Sequence, residues 1–394
     1  MHAVWKVYPD SAAAVHLSGG TYSNETEVGP VYIDSPLTIK GGYDPDNWNT
    51  RNIDSFPSSI FSSGDDEIAT IVFSSAESAV LDGLTIKQTQ SLTNGSFSNV
   101  YLSEDSSVSI IDCDIINYCS DEGYRGAAIV AKGSLAFNNS VLDMSVKTDE
   151  TSYAFSAYKD ITVTNSTVSI SDTMYDTEHS TWGILSRSDT IIENSVLTLN
   201  GTGNAELRGI IIDTDGATLS GYVSGNTITI GDTFSKPQYI YAIQCEQLSD
   251  FVITRNQIDI PVGSSLSEGI YLSYCDGICI NNNVIHGGEG AKVSCIALVA
   301  SKETEITNNT LFMGSSYKYT SSTAQGIYLQ SSSSVSKCIG NIIYGDNRYS
   351  RTDFLRSGIY CQSTGDIISQ LDHNAFANLN YGLIRIYYSN SIPY

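Results

Sequence analysis

Apolar and polar residues alternate in short, β-branched runs along almost the whole chain. No segment keeps the i, i+3, i+4, i+7 period of an amphipathic helix. The runs repeat. Asparagines recur at Asn139, Asn165, Asn194, Asn226, Asn256, Asn283, Asn309, Asn341 and Asn374, at intervals of 26 to 33 residues. Two positions after all but one of them comes an apolar side chain: Val141, Val196, Ile228, Ile258, Ile285, Leu311, Ile343 or Phe376. Three positions before them apolar residues recur again, among them Ile191, Val223, Ile253, Ile280, Ile306 and Leu371. A unit such as Phe251-Val-Ile-Thr-Arg-Asn256 therefore reads as strand, sharp corner, next strand. Asparagine suits a corner because it tolerates the left-handed conformation and its amide bonds nearby backbone. Stacked rung on rung, such amides also bond one another, so these nine asparagines are predicted to form a structural ladder.

A second column precedes each corner: Gly183-Ile184, Gly209-Ile210, Ala242-Ile243, Gly269-Ile270, Cys295-Ile296, Gly326-Ile327, Gly358-Ile359 and Gly382-Leu383. Two features locked to one variable period imply a stacked solenoid with its insertions in loops. Short parallel strands joined by corners instead of helices predict an all-β chain, a single parallel β-helix. At about 29 residues per rung the chain supplies roughly thirteen rungs, and strands stacked about 4.8 Å apart give a rod roughly 60 Å long. It reads as one domain over 1–394, with irregular N-terminal rungs or a cap over 1–60 and both ends trimmed. The surplus residues, 171–182, 231–241, 261–268, 314–325 and 345–357, all precede the Gly-Ile strand, so these loops should gather on one side of the rod.

Period-two alternation sorts the Gly-Ile strand into columns. Counted from the glycine, the first and third residues are apolar and point inward, including Cys245 and Cys361. The second and fourth then point outward: Leu185, Ile211, Gln244, Tyr271, Ala297, Tyr328 and Tyr360 in one column, Arg187, Asp213, Glu246, Ser273, Val299, Gln330 and Gln362 in the other. Tyr271, Tyr328 and Tyr360, with Gln330 and Gln362 beside them and loop tyrosines Tyr239, Tyr241, Tyr317, Tyr319 and Tyr349 around them, read as an exposed ligand-binding stripe. Flat aromatic faces carrying hydroxyls suit sugars or protein partners. Cross-strand packing explains the same column without a ligand. Arg187, Asp213 and Glu246 fall on successive rungs at one offset, and adjacent-rung carboxylates about 5 Å apart match a retaining glycosidase pair. With the arginine they also suit calcium-assisted lyase chemistry. A solvated charge ladder is the plainer explanation.

Charge narrows the partners. Against 43 acidic residues stand 20 basic ones, a net charge of -23, which repels phosphate backbones and argues against nucleic acid or an anionic membrane surface. The apolar runs are too short to span a membrane, and a leader or lipid anchor would lie outside this sequence. The eight cysteines make no C-x-x-C pair and several occupy apolar repeat positions, so they are expected to be buried free thiols. The five histidines are scattered and suggest no metal centre. The acidic stretches 44–49 and 64–67 could take calcium or be ordinary turns; no other cofactor is expected.

The units Gly269-Ile-Tyr-Leu272 and Ile280-Asn-Asn-Asn-Val-Ile285, together with Ile306-Thr-Asn-Asn-Thr-Leu311, resemble repeats of the pectin-lyase-like right-handed β-helix superfamily. The runs Val15-His-Leu-Ser-Gly-Gly-Thr-Tyr22 and Pro36-Leu-Thr-Ile-Lys-Gly41 resemble its first rungs, and 41–51 is similar to a segment of bacterial surface β-helix proteins and lipoproteins. The resemblance implies a right-handed helix in an exported protein, extracellular or on the cell surface, and allows a homotrimer. It does not fix an activity. Asp213-Thr214-Asp215 superficially matches one polygalacturonase motif, but the paired-Asp, Gly-His-Gly and Arg-Ile-Lys motifs of those enzymes are missing. The expectation is thus a non-catalytic β-helix, an adhesin, polysaccharide-binding module or structural rod whose partner is a glycan or a cell-surface protein. The alternative is a polysaccharide lyase or glycoside hydrolase using Arg187, Asp213 and Glu246.

Overall fold

A computed structural model describes residues 13–23, 30–62, 69–90, 98–119, 126–147, 151–172, 180–201, 206–214, 219–231, 239–260, 264–288, 290–314, 323–345, 355–363 and 365–386. Its strands stack in strict rotation onto three parallel sheets, called A, B and C here in the order the chain first visits them, so that every third strand is a hydrogen-bonded neighbour. Sheets B and C each hold 13 strands. Sheet A has 14, because two short strands, Ile367–Ile368 and Leu371–Asp372, both pair Ser334–Ile339. The chain is therefore an all-β parallel β-helix. Between the three sheets lies one continuous core of Ile, Leu, Val and Phe, running from Leu17 to Cys361. No helix among the described residues is long and apolar enough to cross a membrane.

The A-to-B corner takes two residues, and its geometry corrects the expected ladder. The first residue is left-handed and the second points its side chain into the stack. In the later rungs the first position holds Gly225, Arg255, Asn282, Asn308, Gly340 and His373, with φ between 51° and 69°. The second holds Asn226, Asn256, Asn283, Asn309, Asn341 and Asn374. Each asparagine of this run, up to Asn341, receives its successor's Oδ1 on both its backbone N–H and its Nδ2, at 2.9–3.1 Å. Asn139, Asn165 and Asn194 instead occupy the left-handed position (φ 50°, 52° and 51°), so they are not ladder residues. There the ladder is built by serines one residue later. Ser140, Ser166 and Ser195 accept from the backbone N–H of Cys113, Ser140 and Ser166 at 3.0–3.2 Å, and Ser195 N–H passes the chain of bonds to Asn226 Oδ1 at 2.9 Å. The one-residue offset also explains why Val141 and Val196 are each 41% exposed while Leu142 and Leu197 lie in the core. A second ladder, which sequence reasoning did not anticipate, runs at the C-to-A corner. Cys275 N–H donates to Ser301 Oγ, Ser301 N–H to Ser333 Oγ and Ser333 N–H to Asp366 Oδ1, at 2.9–3.3 Å.

The Gly-Ile column is the bend in each sheet C strand. Residues on both sides of the phase change point inward: Ala242 and Ile243, like Cys295 and Ile296, are all fully buried in the core. Only a small residue fits, since a Cβ on Gly209 would lie 2.4 Å from the carbonyl oxygen of Ala242. In the last rung the register shifts this assignment. Ile384, not Leu383, pairs Ile359, so Gly382 stands one residue before the column. All the expected surplus segments fall between a sheet B strand and the following sheet C strand. Residues 173–179, 232–238, 261–263, 315–322 and 346–354, which include Tyr317, Tyr319 and Tyr349, lie outside the described residues.

Cys245 and Cys361 are buried at inward positions, as the alternation requires. Burial pushes the Cys361 thiol up to about 11 and the Cys245 thiol well above its ordinary range. A protonated, enclosed thiol is a poor nucleophile. Native protein should therefore leave both unlabelled by a maleimide that modifies them fully after denaturation, read by peptide mass. Rapid native labelling of both would mean that the inward and outward columns are reversed.

Candidate functional site

The outward face of sheet C is built from three offsets along each strand. The two columns expected from sequence lie there, two and four residues past the bend. A third lies one residue before it, where the phase change brings another outward position: Tyr153, Trp182, Arg208, Tyr241, Glu268, Ser294, Gln325 and Ser357 on successive strands. Counting the alternation only forward from the glycine missed this column. A bulky or polar residue directly before each small bend residue was the available signal.

Contacts run along this third column. The Tyr153 and Trp182 rings meet edge-on at 5.2 Å. The Arg208 guanidinium lies between Trp182 (4.8 Å) and Tyr241 (5.5 Å) and pairs with Glu206 at 2.6 Å. Tyr241 in turn packs against Tyr271 at 5.3 Å. Further along the rod Lys292 Nζ sits 4.0 Å from the centre of the Tyr328 ring, Tyr328 stacks on Tyr360 at 5.7 Å, and Arg385 lies 5.0 Å from Tyr360. Lys132 over Tyr101 and Arg187 over Tyr158 extend the pattern toward the first rungs, so every cation–π pair among the described residues joins residues of sheet C strands or residues directly flanking them. On a chain this acidic, that gathers basic side chains on one aromatic face.

The expected tyrosine stripe is present but is not an exposed one. Tyr271 and Tyr360 are half-buried, and Tyr328, with Lys292 on its ring and Tyr360 stacked beside it, is only 4% exposed. Its hydroxyl also contacts Gln362 and donates to Gln330 Oε1 at 3.1 Å, which makes Tyr328, Gln330 and Gln362 one hydrogen-bonded group. Arg187, Asp213 and Glu246 lie at one offset as expected. Asp213 and Glu246 are register partners, Arg187 is committed to Tyr158, and Glu246 Oε1 accepts from Gln244 Nε2 at 2.5 Å.

Glu268 is the chemically unusual group. It is 2% exposed, and its Oε2 has no hydrogen-bond partner. Burial raises its carboxyl to about 7, against which the nearby Lys292 charge pulls downward. Lys292 is itself lowered by burial, with the Glu268 charge acting in the opposite sense, yet no ion pair forms between them. Tyr241, Tyr271 and Tyr328 all feel the Glu268 charge, and burial raises all three phenols. The rung between Tyr271 and Tyr328 places the short side chains Ser294, Ala297 and Val299 at the three outward offsets, with Lys292 two residues earlier on the same strand. Trp182 Nε1, Arg208 Nε and Gln244 Oε1, buried on the same face, also lack partners. Unsatisfied buried polar atoms are costly and uncommon, and a desolvated, shifted acid beside a cation is a candidate functional group.

A parallel solenoid with one aromatic, cation-lined face defines the class: a right-handed parallel β-helix. A family model described as periplasmic copper-binding protein (NosD) matches residues 182–391, more than half of the chain, and the chain belongs to that family. Among solved structures it is similar to the periplasmic alginate epimerase AlgG (12% identity, 95% of this chain and 85% of that one, TM-score 0.34). It is also similar to the mannuronan C-5 epimerase AlgE4 A-module of Azotobacter vinelandii (12%, 95% and 88%, TM-score 0.36). Tailspike protein 3 of bacteriophage CBA120 is a third (11%, 89% and 58%, TM-score 0.36). No curated protein matches the chain.

Among the described residues no set of His, Cys, Asp or Glu side chains fits a copper centre. Copper favours thiolate, thioether and imidazole donors, and no group of three or more His, Cys, Asp or Glu side chains among the described residues could hold a metal. Burial keeps the interior cysteines as thiols, with Cys113, Cys295 and Cys338 raised to about 12 and Cys275 to about 11. In the acidic stretch 44–49, Asp44 Oδ1 accepts from Asp46 N–H and Asn47 Oδ1 from Asn49 N–H, the bonds of an ordinary turn; residues 64–67 lie outside the described residues.

Proposed function

We propose that this chain is an exported glycan-binding β-helix whose ligand lies along the outward face of sheet C. One observation carries the reading: the buried polar atoms without partners at Trp182, Arg208, Gln244 and Glu268 share that face with its row of aromatic rings. Rings cover the C–H faces of sugars, and free donors and acceptors beside them take hydroxyls. The periplasmic description of the family supports an exported place of action.

Tyr271 is the ring to test, because it is half-exposed whereas Tyr328 is enclosed. On the best hit of a glycan array, Tyr271→Ala should weaken binding by about tenfold or more, the scale of an aromatic anchor. Asp213→Asn should leave affinity within about twofold, as for a surface charge. Release of reducing ends or unsaturated products by the wild type, abolished by Asp213→Asn, would replace this reading with an enzymatic one. An array without a hit would remove it.

A further inference from the structure

Within the sheet C face, Glu268 and Lys292 come from adjacent rungs, Ser264–Ser273 and Gly290–Val299. Each feels the other's charge, but they do not meet as an ion pair, and Glu268 Oε2 is left with no partner although the residue is 2% exposed. The two opposite charges thus leave an acceptor on Glu268 and a donor on Lys292 that do not satisfy each other. Around them stand Tyr241 and Tyr271, packed at 5.3 Å, and Tyr328 under Lys292, with the short side chains Ser294 and Ala297 on the Lys292 strand itself. Lys292 is held in place by the Tyr328 ring, so its ammonium direction is set before any ligand arrives.

We propose that Glu268 and Lys292 form a hydroxyl-reading subsite for a neutral saccharide, in which one sugar hydroxyl donates to Glu268 Oε2 and accepts from Lys292 Nζ. The inference rests on the glycan-binding reading and specifies its ligand chemistry. A second ammonium or guanidinium is disfavoured as ligand because Lys292 and Arg208 already supply positive charge, and a free carboxylate because Glu268 would oppose it. The hydroxyl is the group that completes both partners at once. A protonated Glu268 would compete with Lys292 as a second donor and leave the hydroxyl hydrogen unpaired, so the carboxylate is the binding form. The other groups bearing on this charge are Tyr241, Tyr271 and Tyr328, with Arg208 and Glu206 beside Tyr241, Glu246 beside Tyr271 and Asp366 beside Tyr328. Glu268 is raised to about 7, so its change of charge falls in the neutral range.

The test is titration calorimetry of the whole chain with soluble neutral oligosaccharides of glucose, xylose and mannose, at several pH values around neutrality. Wild-type affinity should rise as pH passes upward through about 7, with a proton released on binding below it. Glu268→Gln keeps the shape of the side chain and Lys292→Met keeps the stem over Tyr328. Each should weaken binding by about tenfold or more, as expected for a hydrogen bond to a charged group, and Glu268→Gln should flatten the pH profile. Retention of wild-type affinity by both variants, or an unchanged pH profile in Glu268→Gln, would overturn the subsite while leaving glycan binding intact. Loss of folding in one variant, seen by thermal melting, leaves the other to decide. If the wild type binds none of these sugars but does bind uronate oligomers, the neutral-ligand assignment is wrong and the face still reads glycans. If it binds neither class, both proposals fail together.

Discussion

Glu268→Gln should make the protein more stable by about 3 kcal/mol above about pH 8 and change it little near pH 4. The carboxyl ordinarily titrates at 4.5 and is raised to about 7 in the fold. Between those values the folded state holds a proton that the unfolded state has lost, so native stability falls as pH rises through the window and stays lower above it. At about 1.4 kcal/mol per pKa unit, the interval corresponds to about 3 kcal/mol. Lys292 is already included in that balance, since its charge opposes the burial term without overcoming it. Glutamine reproduces the neutral form at every pH, so the benefit of the variant should appear only where the native carboxyl is charged. The measurement is the thermal midpoint of both proteins across pH. Equal midpoints at high pH would mean that Glu268 is not desolvated, and would also remove the physical basis for a special role on this face. A stability gain from deleting a buried charge is itself informative, because a residue that costs the fold free energy needs another reason to be there.

Much of this molecule was legible in its sequence because a solenoid repeats its instructions. Asn226 through Asn341 keep the corner in register with buried apolar residues three positions before and two after, and that period implies stacked rungs around a single core but not three strands to a rung. The reading slipped where chemistry changed but geometry did not. At Asn139, Asn165 and Asn194 asparagine fills the left-handed corner position and serine takes the ladder, so the residue type that marks one column in later rungs marks its neighbour in earlier ones. The candidate face suffered from a different cause. Alternation counted forward from the bend found Tyr271, Tyr328 and Tyr360 correctly as outward, but exposure depends on neighbours that alternation does not describe, and Tyr328 is enclosed by Lys292 and Tyr360. Alternation was counted only forward, and continued backward it would misplace the residue before the small one, because the strand bends and the phase changes there. Glu268, Tyr241 and Arg208, the groups on which the functional reading turns, all sit directly before that bend. Burial of Glu268 without an ion pair is a property of three rungs together, and no local pattern carries it.

Asn283→Leu should destabilise the protein by about 3–5 kcal/mol, and Asn283→Ser by distinctly less. The Asn283 amide is fully buried, and its Nδ2 donates to Ile253 O, Asn281 O and Asn309 Oδ1 at 2.9–3.0 Å. Its Oδ1 accepts from both Asn256 N–H and Asn256 Nδ2 at 3.0 Å. Leucine removes all of these and leaves buried donors and acceptors on two neighbouring rungs without partners, each costing about 1–3 kcal/mol, partly relieved by relaxation and by the added apolar surface. The backbone itself is not strained by the change, because the left-handed residue of this corner is Asn282 (φ 55°) and not Asn283. Serine keeps an acceptor where the upper rungs use one: Ser166 Oγ takes the N–H of Ser140 at 3.1 Å in the equivalent place. The ordering of leucine below serine below wild type is therefore the signature of a polar ladder, whereas a site that merely needs volume would rank leucine above serine. Thermal midpoints of the three proteins, with hydrogen exchange at the Asn256 and Asn283 amides, distinguish the two. Exchange should accelerate at Asn256 in the leucine variant, because that N–H loses its acceptor, and remain slow at Asn283, whose own N–H still donates to Asn309 Oδ1 at 2.9 Å. Equal protection of Asn256 in all three would show that the bonds of this column do not hold the rungs together.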